Sequence, residues 1–166
     1  MSTVIQGLIF GWRKNLDYGK RLVADLSDAQ MTAQPALPNN VVMNHPAWCL
    51  CHLNIYVPII SDLIEGREFP DPKTHKFGMQ SKPESDSSVY PKKAEIVDAF
   101  VSGHEQVLTQ LSSATDRIFE LDVQLLRWKE IMPKVGIALP YLMLLHENQH
   151  LGQISAWRRA MGLPSV

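Results

Sequence analysis

The run His146-Glu147-Asn148-Gln149-His150 sets two imidazoles four residues apart with a carboxylate between them. On an α-helix that spacing is about one turn, roughly 6 Å of rise and about 40° of rotation, so both rings can approach one ion. Neutral imidazole is a good ligand for zinc, nickel or iron, and metal to nitrogen distances of about 2.0 to 2.1 Å are within reach of such a pair. The same five residues satisfy the H-E-x-x-H pattern, in which a zinc peptidase draws two ligands and a general base from one helix. The bland alternative is two satisfied or exposed histidines that bind nothing.

A third ligand separates these readings. In zinc peptidases it lies C-terminal to the pair, whereas the chain after His150 reads LGQISAWRRAMGLPSV and contains no His, Asp, Glu or Cys. A peptidase of the usual order cannot be completed. Upstream, His52 is the best candidate, because Trp48 and Tyr56 lie one turn to either side of it on a stripe that should face an interior. One histidine from one helix and an i, i+4 pair from another leave an open coordination position, which is the arrangement of a catalytic metal site rather than a structural one.

The elements that must position these residues are helices. Apolar residues at Val4, Leu8, Trp12, Leu16 and Val23 mark a first helix over about residues 3 to 25. The prolines at 35 and 38 lie in a following loop. Pro46, with Asn44 or His45 as cap, opens a second helix that Gly66 stops; Pro58 inside it should bend or shorten it. From Gly66 to Tyr90 the prolines and the polar run SKPESDSS predict a long crossover over the end of a bundle. Pro91 opens a third helix with the stripe Ala94, Val97, Val101, His104, Leu108 and Leu111. A poorly patterned stretch, about 113 to 135, reads as extended or as a short helix. A fourth helix is expected from about Leu139 to Met161, with Pro140 in its first turn and Gly162 and Pro164 beyond its end. With no strand pattern or internal repeat, the fold class is all-α: a four-helix bundle with a long crossover between the second and third helices, one domain over residues 1 to 166.

The segments NHPAWCLCHL at 44 to 53 and LLHENQHLGQISAWRRAMGLP at 144 to 164 resemble the two signature regions of the DinB-like superfamily of bacterial four-helix-bundle metalloproteins. The resemblance covers nearly the full length, the middle by pattern only. It implies one divalent metal, zinc or nickel in most members, held by a histidine of the second helix and an H-x-x-x-H pair on the last; these positions fall on His52, His146 and His150. It also implies a reaction class, since members include thiol-dependent S-transferases and a mycothiol-dependent isomerase, and it implies frequent pairing into homodimers. Phe10 and Tyr18, off the apolar stripe of the first helix, are candidates for such an interface.

The remaining chemical side chains carry paired readings. Glu147 is rotated about 100° from His146 and about 60° from His150, so it either acts as a base near the metal or points outward into solvent, the second being favoured. Gln153 lies near the histidine face and either orients a metal ligand or substrate or makes an interhelical hydrogen bond. His104, on the third helix's stripe, is a supporting group, a fourth ligand, or a core histidine bonded to nearby backbone. His45 reads as a helix cap, and His75 sits in the crossover without a partner in view. Arg158 and Arg159 read as cations at the negative end of their own helix, or as a carboxylate-binding pair. Cys49 and Cys51, two apart, are poorly placed for a disulfide and read as reduced packing residues, with a redox or ligand role as the alternative.

Composition narrows the classes. A chain of 166 residues with 45% apolar and 20% charged residues is an ordinary globular one, and a formal net charge of -1 provides no broad field for nucleic acid. The N-terminus lacks a basic leader, and no run of about 18 apolar residues suggests a membrane span, so a cytoplasmic location is expected. The expected function is that of a metal-dependent transferase or hydrolase acting on a small-molecule substrate, in which the ion activates a low-molecular-weight thiol cosubstrate or a water. The alternative of a different class is a non-catalytic, stress-induced bundle that binds metal or an apolar ligand. Closure of the fourth coordination position by His104 or Cys49 would favour that alternative.

Overall fold

A computed structural model describes all residues, 1 to 166, and is helical with a single isolated bridge between Asp122 and Lys134. The long helices are α1 (Thr3–Val23), α3 (Pro46–Glu65), α4 (Lys93–Ser113) and a final rod made of α6 (Val135–Pro140), a π-helical turn (Tyr141–His146) and α7 (Glu147–Ala160). Two short helices, α2 (Asp28–Met31) and α5 (Leu126–Lys129), lie in the connections. Neighbours pack in the order α1, α4, α3, α7 and back to α1. The chain is an all-α bundle.

Cross-helix hydrogen bonds set the directions. Asn54 Nδ2 donates to the Ile96 carbonyl and Gln110 Nε2 to Ser61 Oγ, so α3 and α4 run parallel. Trp12 Nε1 bonds to the His104 carbonyl while Lys93 Nζ reaches the Ala24 carbonyl, which makes α1 and α4 antiparallel. Asn15 to Met143 and Arg158 to Leu22 make α1 and the final rod parallel. Parallel neighbours need a long connection, and the crossover therefore returns along the bundle's length instead of passing over its end. Phe77, Ser81 and Glu84 meet the N-terminal half of α3 on the way.

α3 begins and ends where its sequence signals lie. His45 is the N-cap, its Nδ1 accepting from Trp48 N at 3.2 Å, and Gly66 closes the helix at φ 67°, a conformation glycine adopts without strain. Pro58 sits on the exposed face, and the helix continues through it without shortening. By length and composition α3 is apolar enough to cross a membrane, contrary to expectation, but 78% of that window is buried and it serves as the central helix of the bundle. No other helix passes that test.

The last rod departs furthest from expectation. It starts at Val135, so Pro140 lies inside it and not in its first turn. Pro140 has no amide hydrogen to give to the Gly136 carbonyl and its ring crowds that oxygen. The helix widens into the π turn immediately afterwards. Asn15 from α1, 4% exposed, donates to the Met143 carbonyl within that turn at 2.9 Å. In α4 the buried stripe is Ile96, Phe100, His104, Val107 and Leu111, with Ala94 exposed; Val4 of α1 is likewise exposed. Residues 113 to 135 hold a 3-10 turn (Asp116–Glu120), an extended pairing in which Val123 N donates to the Pro133 carbonyl, and α5.

The apolar core divides into two clusters. One gathers Ile5 to Trp12 of α1 with Tyr56 to Ile64 of α3, and the other Leu16 to Val23 with Ala47 to Leu53. Between them lies a polar layer with at least one residue from each long helix: Asn15, His52, His104, and Glu147 with His150.

Candidate metal centre

His52 comes from α3, His146 from the last π-helical position and His150 from the first turn of α7; one ligand atom from each lies within 4.8 Å of the other two. His52 is 2% exposed and His150 7%, while His146 is partly exposed on the cavity side. His52 Nε2 is 3.1 Å from His146 Nε2. Two nitrogens held tetrahedrally by one ion at 2.0 to 2.1 Å are about 3.3 Å apart, so the rings need only small movements to share a cation.

The neighbours decide which nitrogens are bare. His52 Nδ1 lies 2.6 Å from the Phe77 carbonyl, which can only accept, so Nδ1 carries the hydrogen and Nε2 presents a lone pair. Gln153 Oε1 accepts from Asn44 Nδ2 at 2.9 Å and lies 2.9 Å from His150 Nδ1, which fixes the same tautomer on His150. His146 Nε2 faces the His52 Nε2 lone pair at 3.1 Å, and its Nδ1 is buried without a partner. A buried polar atom in that state is costly. The donor set, three imidazoles with one nitrogen each within 4.8 Å of the other two, suits zinc, nickel or iron.

Burial is the main cause of the depressed basicity of these rings. It pushes His52 down to about 4, helped by His150, and His146 down to about 3, helped by both neighbours; His150 and the capping His45 are lowered as well. Each folded value lies below the unfolded 6.5, so on acidification the unfolded chain takes up protons that the folded chain refuses. The metal-free protein is therefore expected to hold constant stability above about pH 7 and to lose it progressively between about pH 6.5 and 5, before the carboxylates titrate. Urea midpoints across that range test this; a midpoint that rises on acidification contradicts it.

Gln153 is positioned to fix one ring and not to close the site. Gln153→Leu is expected to lower metal affinity about 10- to 100-fold, the usual effect of losing a partner that orients a ligand, without changing the helical content. Competitive chelator titration beside far-ultraviolet circular dichroism measures both.

Glu147 departs from its favoured reading. It is 2% exposed and its Oε1 lies 2.8 Å from His104 Nε2. It does not line the cavity in front of the three histidines. Burial pushes its carboxyl up, opposed by the hydrogen bond from His104. His104 Nδ1 faces the Phe100 carbonyl at 2.6 Å, and its ring stacks on Trp12 with centroids 4.0 Å apart. With both nitrogens engaged, His104 is a core residue bonded to its own helix and to Glu147. Neither residue is free for the roles that a peptidase or a closed structural site requires.

Cys49 and Cys51 are buried free thiols. Burial raises both, Cys51 to about 12 and Cys49 further, so they remain protonated packing residues. His75 is exposed, and its Nδ1 accepts from Phe77 N. Arg158 and Arg159 both lie in the last turn of α7, as expected, but Arg158 also reaches across to α1. It is 1% exposed, paired with Asp25 and bonded to the Leu22 and Pro164 carbonyls, while Arg159 is exposed. Phe10 is 64% exposed and Tyr18 half-buried on α1.

In front of the triad a cavity of about 890 Å³ opens to solvent, walled by Trp48, Tyr56, Trp128, Ile137 and Leu145. Trp48 stacks on His52 with centroids 4.9 Å apart, and the Tyr56 ring lies 4.6 Å from His146. Three contributors to the site have roles that the sequence does not announce. The Phe77 carbonyl belongs to a turn remote in sequence, Trp128 lies in the unpatterned stretch, and Asn44, read as an alternative cap, instead bonds Gln153.

A family model described as the DinB superfamily matches residues 13–154. No curated protein matches the chain. With that match spanning most of the sequence and a three-histidine cluster assembled from α3 and the last rod, the chain belongs to the DinB superfamily.

Proposed function

We propose that the chain is a metal-dependent transferase that joins a low-molecular-weight thiol to a small electrophilic substrate, with His52, His146 and His150 holding one divalent cation, zinc, nickel or iron. The carrying observation is that three imidazole nitrogens within 4.8 Å of one another sit at the wall of an open cavity. When bound, such a cation supplies charge that lowers the pKa of a coordinated thiol or water. The chain's own residues do the rest. The Phe77 carbonyl and Gln153 hold two rings with their Nε2 lone pairs toward one point. Trp48, Tyr56 and Trp128 give the cavity an aromatic wall beside the rings. No protein nucleophile competes, because both cysteines are buried and protonated.

Two observations support a reacting site over a non-catalytic bundle. His104 has both nitrogens engaged, and Cys49 Sγ is directed at the Asn44 carbonyl and Gln153, so neither closes the site. The reading places the chain in the cytoplasm and allows a homodimer through the α1 face bearing Phe10.

The test is a panel of low-molecular-weight thiols with 1-chloro-2,4-dinitrobenzene. Zinc- or nickel-loaded protein is expected to accelerate conjugate formation over buffer, to lose the acceleration on chelation and to regain it on reloading. Equal rates before and after chelation would end the transferase reading.

A further inference from the structure

The cavity in front of the triad has a composition that selects among electrophiles. Of its 17 lining residues, Arg127 alone carries a formal charge. That charge is already engaged: Arg127 Nε and Nη2 lie 2.9 and 2.6 Å from the two oxygens of Asp71. Around the mouth, Met79, Ile131, Ile137 and Leu145 are 48 to 69% exposed. Solitary exposed apolar side chains need no explanation, but several lining one opening are the signature of a surface that receives an apolar partner. The volume, about 890 Å³, is in the range that encloses a small organic molecule.

Tyr56, Tyr141 and Gln149 all present polar groups to the wall without a protein partner, and of the three only Tyr56 is a buried residue. Tyr56 is 7% exposed as a residue and lines the cavity, yet its hydroxyl takes part in no hydrogen bond and is not among the sealed-off polar atoms. Its ring is held between His52, His146 and Trp128, at centroid distances of 5.0, 4.6 and 6.4 Å. Buried tyrosine hydroxyls usually find a partner; this one is open to the cavity, on a ring packed against the histidines.

We propose that the cavity takes an uncharged, aryl-sized molecule bearing one accepting oxygen, its apolar body against Ile131, Ile137 and Leu145 and its oxygen on the Tyr56 hydroxyl. As the substrate assignment, this rests on the reading of the triad as a reaction site. The binding itself does not require the metal. Tyr56 is a binding residue here, fixing which end of the molecule faces the three histidines.

The experiment uses full-length, chelator-treated protein, so that its failure is separable from that of the metal reading, which elemental analysis judges independently. The neutral probe N-phenyl-1-naphthylamine is expected to fluoresce on binding and to be displaced by acetophenone and by its oxygen-free isostere α-methylstyrene. Benzoate is expected to displace it at least about tenfold less well than acetophenone. In Tyr56→Phe, probe affinity is expected to stay within about twofold, while the acetophenone to α-methylstyrene affinity ratio falls about 5- to 10-fold, the effect of one lost hydrogen bond. Leu145→Lys, at an exposed position that leaves the core intact, is expected to weaken the probe several-fold. An unchanged ratio in Tyr56→Phe overturns the role of the hydroxyl. Benzoate binding as well as acetophenone overturns the uncharged class, and absence of probe binding overturns the apolar cavity.

Discussion

Replacing His146 and His150 together by alanine is expected to reduce bound metal from near one ion per chain to background. The pair supplies two of three converging nitrogens, and His52 alone retains one. Losing even a partner that orients a ligand costs about 10- to 100-fold in affinity, so removing two ligands is expected to cost more than about a thousandfold. Elemental analysis of the purified variant reads this directly, and thermal unfolding reads it a second way. An ion bound only by the folded state adds about 2.7 kcal/mol of stability at a hundred times its dissociation constant. The wild-type midpoint should therefore climb with added zinc while that of the variant stays flat. Stoichiometric metal persisting in the variant would remove the three-histidine site from consideration.

The second large effect concerns the fold alone. Arg158→Met removes a guanidinium that is 1% exposed and bonds the Leu22 carbonyl at 2.9 Å, the Pro164 carbonyl at 3.0 Å and both oxygens of Asp25. Asp25 is about half exposed and contributes little through charge once water screens it. The larger loss is the Leu22 carbonyl at the end of α1, left buried without its donor. The expected cost is about 3 kcal/mol, which for a chain of this size lowers the melting temperature by about 6 to 12 °C. Arg159→Ala, at an exposed position, should change it by no more than about 2 °C. Calorimetry distinguishes the two, and metal content should be unaffected in both. A wild-type melting temperature in Arg158→Met would refute this account of the α1 to α7 tie.

Local chemistry was the legible part of this chain. Pro46 and Gly66 bound α3 because a missing amide hydrogen costs nothing in the first turn and a left-handed backbone ends the last one. The spacing of His146 and His150 was legible because a helical turn is a property of the backbone, and His52 because Trp48 and Tyr56 flank it on a buried stripe. The features that escaped depend on distant partners. The expected α4 stripe holds at His104 and Leu111 and is one residue off at Val97, Val101 and Leu108, which are only partly buried, because Val97 and Val101 are as apolar as Ile96 and Phe100; packing against α1 and α3 chooses between them. Glu147 looked like a solvent-facing carboxylate, since nothing near it in sequence shows that His104, 43 positions earlier, meets it in the interior. The direction of the crossover is set by α3 and α4 being parallel, which no local pattern encodes.

The π turn at Tyr141–His146 amounts to one surplus residue accommodated inside a helix. An α-helix advances about 100° per residue, so that surplus sets the angular offset between the helical turns on its N-terminal side and those on its C-terminal side. Ile137 and Tyr141, on the cavity wall, lie before the offset or open it, whereas His150 lies beyond it. Ile137 and His150 are thus phased against each other by a single insertion, and a sister chain without it would turn a different side of its first helical turns toward His150.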